Sequence, residues 1–262
     1  MQPHRIVLSL VLALGSLTIA TRAQEITVAA AADLQFAMGD LASQYERQTG
    51  NKVNVTYGSS GNFFSQLQNG APFDLFFAAD IDYARMLERS GQAEPGTLYP
   101  YAIGRIVIWA PGDSKIDVTK LGWKALLSGS MQKIAIANPE HAPYGRAAIA
   151  AMQKAGIYDQ VKARLVYGDN ISQAAQFVQS GNAQVGIVAL SLAISPAMQD
   201  GKRWEIPADM HPPIEQAAIV LKNGRNKVAA RSFLDFVKTE AARATLAKYG
   251  FSSPLEQPKA AK

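Results

Sequence analysis

The stretch "KVNVTYGSSGNFFSQLQNGAPFDLFFAAD" (residues 52–80) decides the fold class. "KVNVTYG" alternates like a half-buried strand. "NFFSQLQNG" reads as a helix closing on Gly70, a residue type that favours helix C-termini. "FDLFFAAD" then gives a continuous apolar run, suited to a strand covered on both faces. A strand, a helix and a buried strand in succession are the unit of α/β architecture.

The pattern continues outward from there. "ITVAAAA" is a strand that runs into Asp33, and a helix follows at once. Leu34, Ala37, Met38, Leu41, Ala42 and Tyr45 recur at the spacing of one buried helical face. "DYARMLERSG" is another helix with a glycine stop, and "GRIVIWAPG" and "KIAIANP" are strand-like. Helical patterns follow in "GRAAIAAMQKAG", "ISQAAQFVQSG" and "KVAARSFLDFVKTEAARATLAKYG", with "AQVGIVAL" a strand between the last two. The alternation predicts an α/β protein with mixed, mostly parallel sheets and helices on both faces. "LYPYAIG" and "PADMHPPIEQ" are the loop-rich stretches, and two lobes would cross over there.

The first residues read as a leader. "MQPHR" is basic, "IVLSLVLALGSLTIA" is apolar, and cleavage after Ala23 fits a secretory signal peptide over 1–23. The apolar run falls short of the ~20 residues of a spanning helix. Losing it removes two positive charges, Arg5 and Arg22, from a formal net charge of +5. With no Lys/Arg run, nothing suggests nucleic acid. The chain has no cysteine, which excludes disulfides, thiolate metal sites, thiol nucleophiles and a lipid-modified N-terminal Cys. Of three histidines, only His141 and His211 outlast the leader, which argues against a histidine-rich zinc site.

Four junctions share one chemistry: "AAAADLQ", "YGSSGNFF", "PEHAPYGRAA" and "YGDNISQAA" each end a strand in small or polar residues and open a helix. Helix starts present unpaired N–H groups and the positive end of the macrodipole, so several aimed at one point make an anion site without a charged side chain. Each has a plainer reading. Asp33, Ser59 or Ser60, and Asp169 or Asn170 serve equally as helix caps. Tyr144 serves as a core aromatic, Ile171 as core, and His141 as a loop histidine. No G-x-S-x-G elbow, G-x-x-x-x-G-K-[ST] or G-x-G-x-x-G loop is present, and a Ser60, His141 and Asp80 triad has no support in spacing. Binding is favoured over catalysis. An exported serine hydrolase is the rival from another class, and a polyamine site lacks the inward acids it requires.

The segments "ITVAAAADLQFAM", "YGSSGNFFSQLQNGAPFDLFFAAD", "IANPEHAPYGRAA", "VGIVAL" and "FLDFVKTEAARATLAKYGF" resemble the periplasmic molybdate-binding proteins of ABC transporters. The resemblance implies a two-lobe type II periplasmic binding protein fold with the ligand cleft between lobes. It places 24–103 and 217–262 in lobe I and 104–216 in lobe II. It implies capture of molybdate or tungstate and delivery to an inner-membrane ABC permease by a soluble, monomeric periplasmic protein that has no cofactor and is not an enzyme. Molybdenum would enter only as the oxyanion, with no direct bond to protein. A phosphate- or sulfate-like oxyanion is the alternative ligand.

Carried over by position, the resemblance implies that Ser60 donates hydroxyl and amide, and that Tyr144 and Ile171 donate backbone amides. Ser59 and Ser191 are further candidates. Two positions depart from the family pattern. Ala189 stands where some members place a tyrosine, a loss that the Tyr144 phenol or Ser191 would cover, the phenol preferred. Asp33 stands where a ligand serine is common. At 4 Å and an effective dielectric near 20, two unit charges interact by about 4 kcal/mol, and a dianion roughly doubles that. The expectation is therefore that the Asp33 amide faces the ligand while its carboxylate turns away to cap the helix near Gln35 or Phe36. On that reading Asp33→Ser leaves oxyanion binding intact or tighter, and a large loss of affinity in titration would overturn it.

Overall fold

The computed structural model describes residues 23–254. The expected leader, Ala23 apart, lies outside them. Among the described residues ten strands form two five-stranded sheets. The first sheet, in spatial order, is β2 (Lys52–Gly58), β1 (Glu25–Ala31), β3 (Leu75–Ala78), β10 (Ile214–Val220) and β4 (Tyr99–Gly104). The second is β7 (Leu165–Gly168), β6 (Ile134–Ala137), β8 (Val185–Ala189), β5 (Ile106–Ala110) and β9 (Lys202–Glu205). Both are mixed. In the first, β1 runs parallel to β2 and β3 while β10 is antiparallel to β3 and β4. In the second, β6 is parallel to β7 and β8 while β5 is antiparallel to β8 and β9.

Residues of the central strands alternate between two apolar layers, as a two-residue side-chain period requires. Val28, Ala30, Leu75, Phe77, Ala218 and Val220 pack beneath helices 35–49, 227–237 and 240–248. Ala29, Phe76, Ala78, Ala217 and Ile219 face the opposite way, onto helices 60–68 and 81–89. The helical face predicted from Leu34 to Tyr45 is buried at every one of its positions. Tyr45 packs edge-on against Phe233, with ring centroids 5.0 Å apart. A buried carboxylate, Asp74, ties three segments together. It accepts from the amide and hydroxyl of Thr27 at 2.7 and 2.8 Å and from the amide of Asn226 at 2.8 Å.

Several elements differ from the sequence expectation. "YPYAIG" is strand β4, and the "IEQ" that ends "PADMHPPIEQ" already belongs to β10. The pair Pro212–Pro213 gives this segment a loop signature, while its strand character comes from pairing with distant β3 and β4. The closing helical pattern is two helices, 227–237 and 240–248. Thr239 breaks them in an extended conformation and caps the second by accepting from the Ala242 amide. "KRWE" is strand β9, which pairs with β5 along its length.

The chain passes from the first sheet to the second between β4 and β5, at Gly104–Arg105. It returns between β9 and β10 through a short 3-10 turn, Ala208–Met210. Among the described residues no helix is long and apolar enough to cross a membrane.

Candidate functional site

The four helix starts meet. Ala31–Asp33, Gly58–Ser60, Ala142–Tyr144 and Ile171, with Ala79, line one small void between the sheets. Its free volume is about 10 Å³, roughly one solvent-sized sphere, so a tetrahedral oxyanion fits only if the lobes part slightly. Among the described residues no lysine or arginine lines it.

Each junction has its own local cause. Ser59 is extended and caps helix 60–68, accepting from the Asn62 amide at 3.4 Å. Ser60, the first helical residue, is buried, and its Oγ accepts from the Ala79 amide at 2.9 Å. That bond orients the hydroxyl and leaves its proton to donate. Pro143 opens helix 143–154, a position where its missing N–H costs nothing. Tyr144 and Gly145 follow. A Cβ at Gly145 would stand 2.2 Å from the Ala137 carbonyl oxygen, so glycine alone lets this helix start lie against the end of β6. Asn170 caps helix 171–179 by accepting from the Gln173 amide at 3.0 Å, which places Ile171 at the first turn.

Asp33 overturns the cap reading. It lies in a 3-10 turn, Ala32–Leu34, and neither that turn nor helix 35–49 receives a side-chain cap. The carboxyl is buried, the residue being 1% exposed, and points to Tyr144 and Gln216 rather than along the helix. Its Oδ2 accepts from the Tyr144 hydroxyl at 2.8 Å and from Gln216 Nε2 at 2.6 Å. Gln216 is itself fixed, because its Oε1 accepts from the Tyr101 hydroxyl at 2.6 Å. Oδ1 has no hydrogen-bond partner among the described residues. Burial pushes the Asp33 carboxyl up to about 6, against the Gln216 and Tyr144 bonds and the nearby Asp33 and Leu34 amides, which favour the ionised form. Those amides lie close to the carboxyl without meeting Oδ1 in hydrogen-bond geometry. Burial, then the neighbouring carboxylate, hold the Tyr144 and Tyr101 phenols well above their usual range.

Ala189 and Ser191 stand outside the wall of the void. Ala189 ends β8, and the Ser191 hydroxyl donates to the Asp33 carbonyl at 2.8 Å, holding the 3-10 turn. The Tyr144 proton is engaged by Asp33. Gln216 is the residue that sequence reasoning missed. The signal for it was an amide set directly before the apolar run "AAIV". Gly104 is glycine for the same cluster, since a Cβ there would lie 2.2 Å from the Tyr144 hydroxyl.

The imagined triad does not assemble. His141 Nδ1 bonds Ser59 Oγ at 2.9 Å rather than Ser60, and His141 Nε2 lies 3.6 Å from Asp169. Asp80 caps helix 81–89 and takes Arg146 Nη2 at 2.6 Å. The Ser59–His141 and Asp80–Arg146 pairs bridge the two lobes, as do Gly61 N–H to the His141 carbonyl at 2.9 Å and the Ser172 hydroxyl to the Ala32 carbonyl at 3.0 Å. A larger groove of about 450 Å³, lined by Asp80, Arg146, Pro212 and Ile214, opens beside them.

A family model described as bacterial extracellular solute-binding protein matches residues 26–252. The chain belongs to that family. Among relatives of this solute-binding protein, the molybdate-binding protein ModA of Azotobacter vinelandii is 39% identical over 92% of this chain and 96% of its own. The molybdate-binding protein ModA of Rhodobacter capsulatus is 37% identical over 93% of this chain and 94% of its own. The solved structure of the Azotobacter vinelandii periplasmic molybdate-binding protein superimposes with a TM-score of 0.82 at 34% identity, covering 87% of this chain and 99% of that one. The two-lobe periplasmic binding protein architecture is thus shared with a solute-binding protein of known fold.

Proposed function

We propose that this solute-binding protein captures molybdate or tungstate between its lobes and hands it to an inner-membrane ABC permease. The observation that carries the reading is the void itself, where helix starts and an oriented serine converge with no cation. Such a lining holds a dianion by neutral donors and macrodipoles. Ser60 supplies hydroxyl and amide, Tyr144 and Ile171 supply amides, and the Ala32–Leu34 turn supplies a fourth edge. Ser59 holds His141, and Ser191 steadies Asp33 from behind. Lobe I comprises 24–103 and 217–262, and lobe II 104–216. The protein is exported with cleavage near Ala23, acts as a soluble periplasmic monomer, and needs no cofactor or nucleic acid. The named relatives support this choice of ligand over a phosphate- or sulfate-like one.

Thermal melting with molybdate, tungstate, sulfate and phosphate supplied separately tests it. At 100 times its Kd, a ligand adds about 2.7 kcal/mol of stability, a plain rise in Tm. Ser60→Ala removes a hydrogen bond to a charged group, so molybdate affinity should fall by about 1.5–3 kcal/mol, roughly 10- to 150-fold. A shift with phosphate and none with molybdate or tungstate would overturn the ligand.

A further inference from the structure

The Asp33 carboxyl is unlike the other buried acid in the fold. Asp74 has both oxygens satisfied, by Thr27 and Asn226. Asp33 has one oxygen with two donors and one with none. The hydrogen bonds around it set the direction of each proton. Tyr101 donates to Gln216 Oε1, so the Gln216 amide turns its N–H₂ toward Asp33. That N–H₂ also reaches the Tyr144 oxygen at 3.0 Å, which leaves the phenol proton for Asp33 as well. Oδ2 is therefore an acceptor twice over. A proton on this carboxyl belongs on Oδ1, the buried oxygen without a partner, in a residue that lines the void.

Among the described residues no cation is at hand to neutralise an ionised Oδ1. From helix 143–154 the carboxyl faces the Tyr144 phenol, from β4 the Tyr101 phenol, and from β10 the neutral Gln216. Ser59, Ser60, Ile171 and Ser191 present neutral groups from the remaining elements. His141 lies behind Ser59, and Arg146 is paired with Asp80. A dianion entering the void thus meets an acid whose charged form has nothing to offset it.

We propose that Asp33 is the specificity-determining residue of the site: it takes up one proton from solvent with the oxyanion and donates it from Oδ1 to an oxygen of the fully ionised cargo. The assignment rests on the oxyanion reading above and deepens it. A donor at this point suits an anion whose oxygens are all acceptors, such as molybdate or tungstate. It opposes an anion that carries its own proton at neutral pH, such as hydrogen phosphate, because two protons then face one another. The elevated carboxyl, about 6 before any anion arrives, leaves the group near the protonation that binding requires.

Isothermal titration of the mature protein with molybdate, in two buffers of different ionisation enthalpy and from pH 5 to pH 8, counts the protons directly. The count should be near zero at pH 5 and approach one at pH 8, with Kd rising about tenfold per pH unit above about 6. Asp33→Asn keeps the shape and carries a fixed N–H donor, so its Kd should be flat with pH and its proton count zero. Tight molybdate binding at pH 8 with no proton uptake by the wild type would overturn the inference and leave the oxyanion reading standing. Absence of molybdate binding at every pH would overturn that reading and this inference with it.

Discussion

Gly61→Ala should lower molybdate affinity about 30- to 150-fold while leaving the ligand-free protein as stable as the wild type to within about 1 kcal/mol. A Cβ at Gly61 would lie 2.6 Å from the His141 carbonyl oxygen and 2.9 Å from its Cα, both backbone atoms with no rotamer to escape through. Gly61 belongs to the lobe of the first sheet and His141 to the loop after β6 in the second. The methyl therefore strikes across the cleft, and the lobes relieve it by standing apart. A closed state raised by about 2–3 kcal/mol lowers apparent affinity by that factor. Within its own lobe the change is mild, because alanine is the better helix former by up to about 1 kcal/mol. Molybdate titration and urea unfolding of the same variant separate the two effects. Wild-type affinity would show that the lobes do not meet at this point when the anion is held.

The second large effect is on stability against pH. The Asp33 carboxyl stands at about 6 in the folded protein against a usual value of 3.8. Between those values the folded state binds more protons than the unfolded one, so the slope of stability with pH is negative. The contribution of Asp33 is complete below about pH 4 and is lost as pH rises through 6. About two pH units correspond to up to about 3 kcal/mol. Asp33→Asn does not titrate. Its stability relative to the wild type, from ligand-free urea unfolding, should improve by about that amount between pH 4 and pH 8. Parallel curves for the two proteins would show that the carboxyl is not held in this buried form.

Much of the site was legible because helix starts announce themselves locally. The Ser-Ser turn between Gly58 and Gly61, Pro143 at a first turn and Asn170 before an apolar face each mark a junction by residue type alone. The face of helix 35–49 was legible for the same reason, its period being its own. What depended on partners far along the chain was not. Gln216 looks like the tail of a proline-rich loop until β10 is placed between β3 and β4. The direction of the Asp33 side chain could not be foreseen either. A cap is the local solution for an aspartate before a helix, and it lost to two donors from Tyr144 and Gln216, residues brought there only by the meeting of the lobes. Gly61 gave no local sign of touching His141, because a glycine after two serines has reasons enough in its own turn.

The place of β10 has a consequence for how the molecule comes into being. β5 to β9 follow one another without interruption, so the second sheet has all its strands in one continuous segment. The first sheet leaves its edge strand β4 unjoined until Ile214–Val220 arrives to link it to β3. That closure spans the whole second lobe in sequence, and long-range pairings of this kind form late. A chain emerging from its N-terminus completes its second sheet before its first, and the cleft is assembled only when nearly all of it has been delivered.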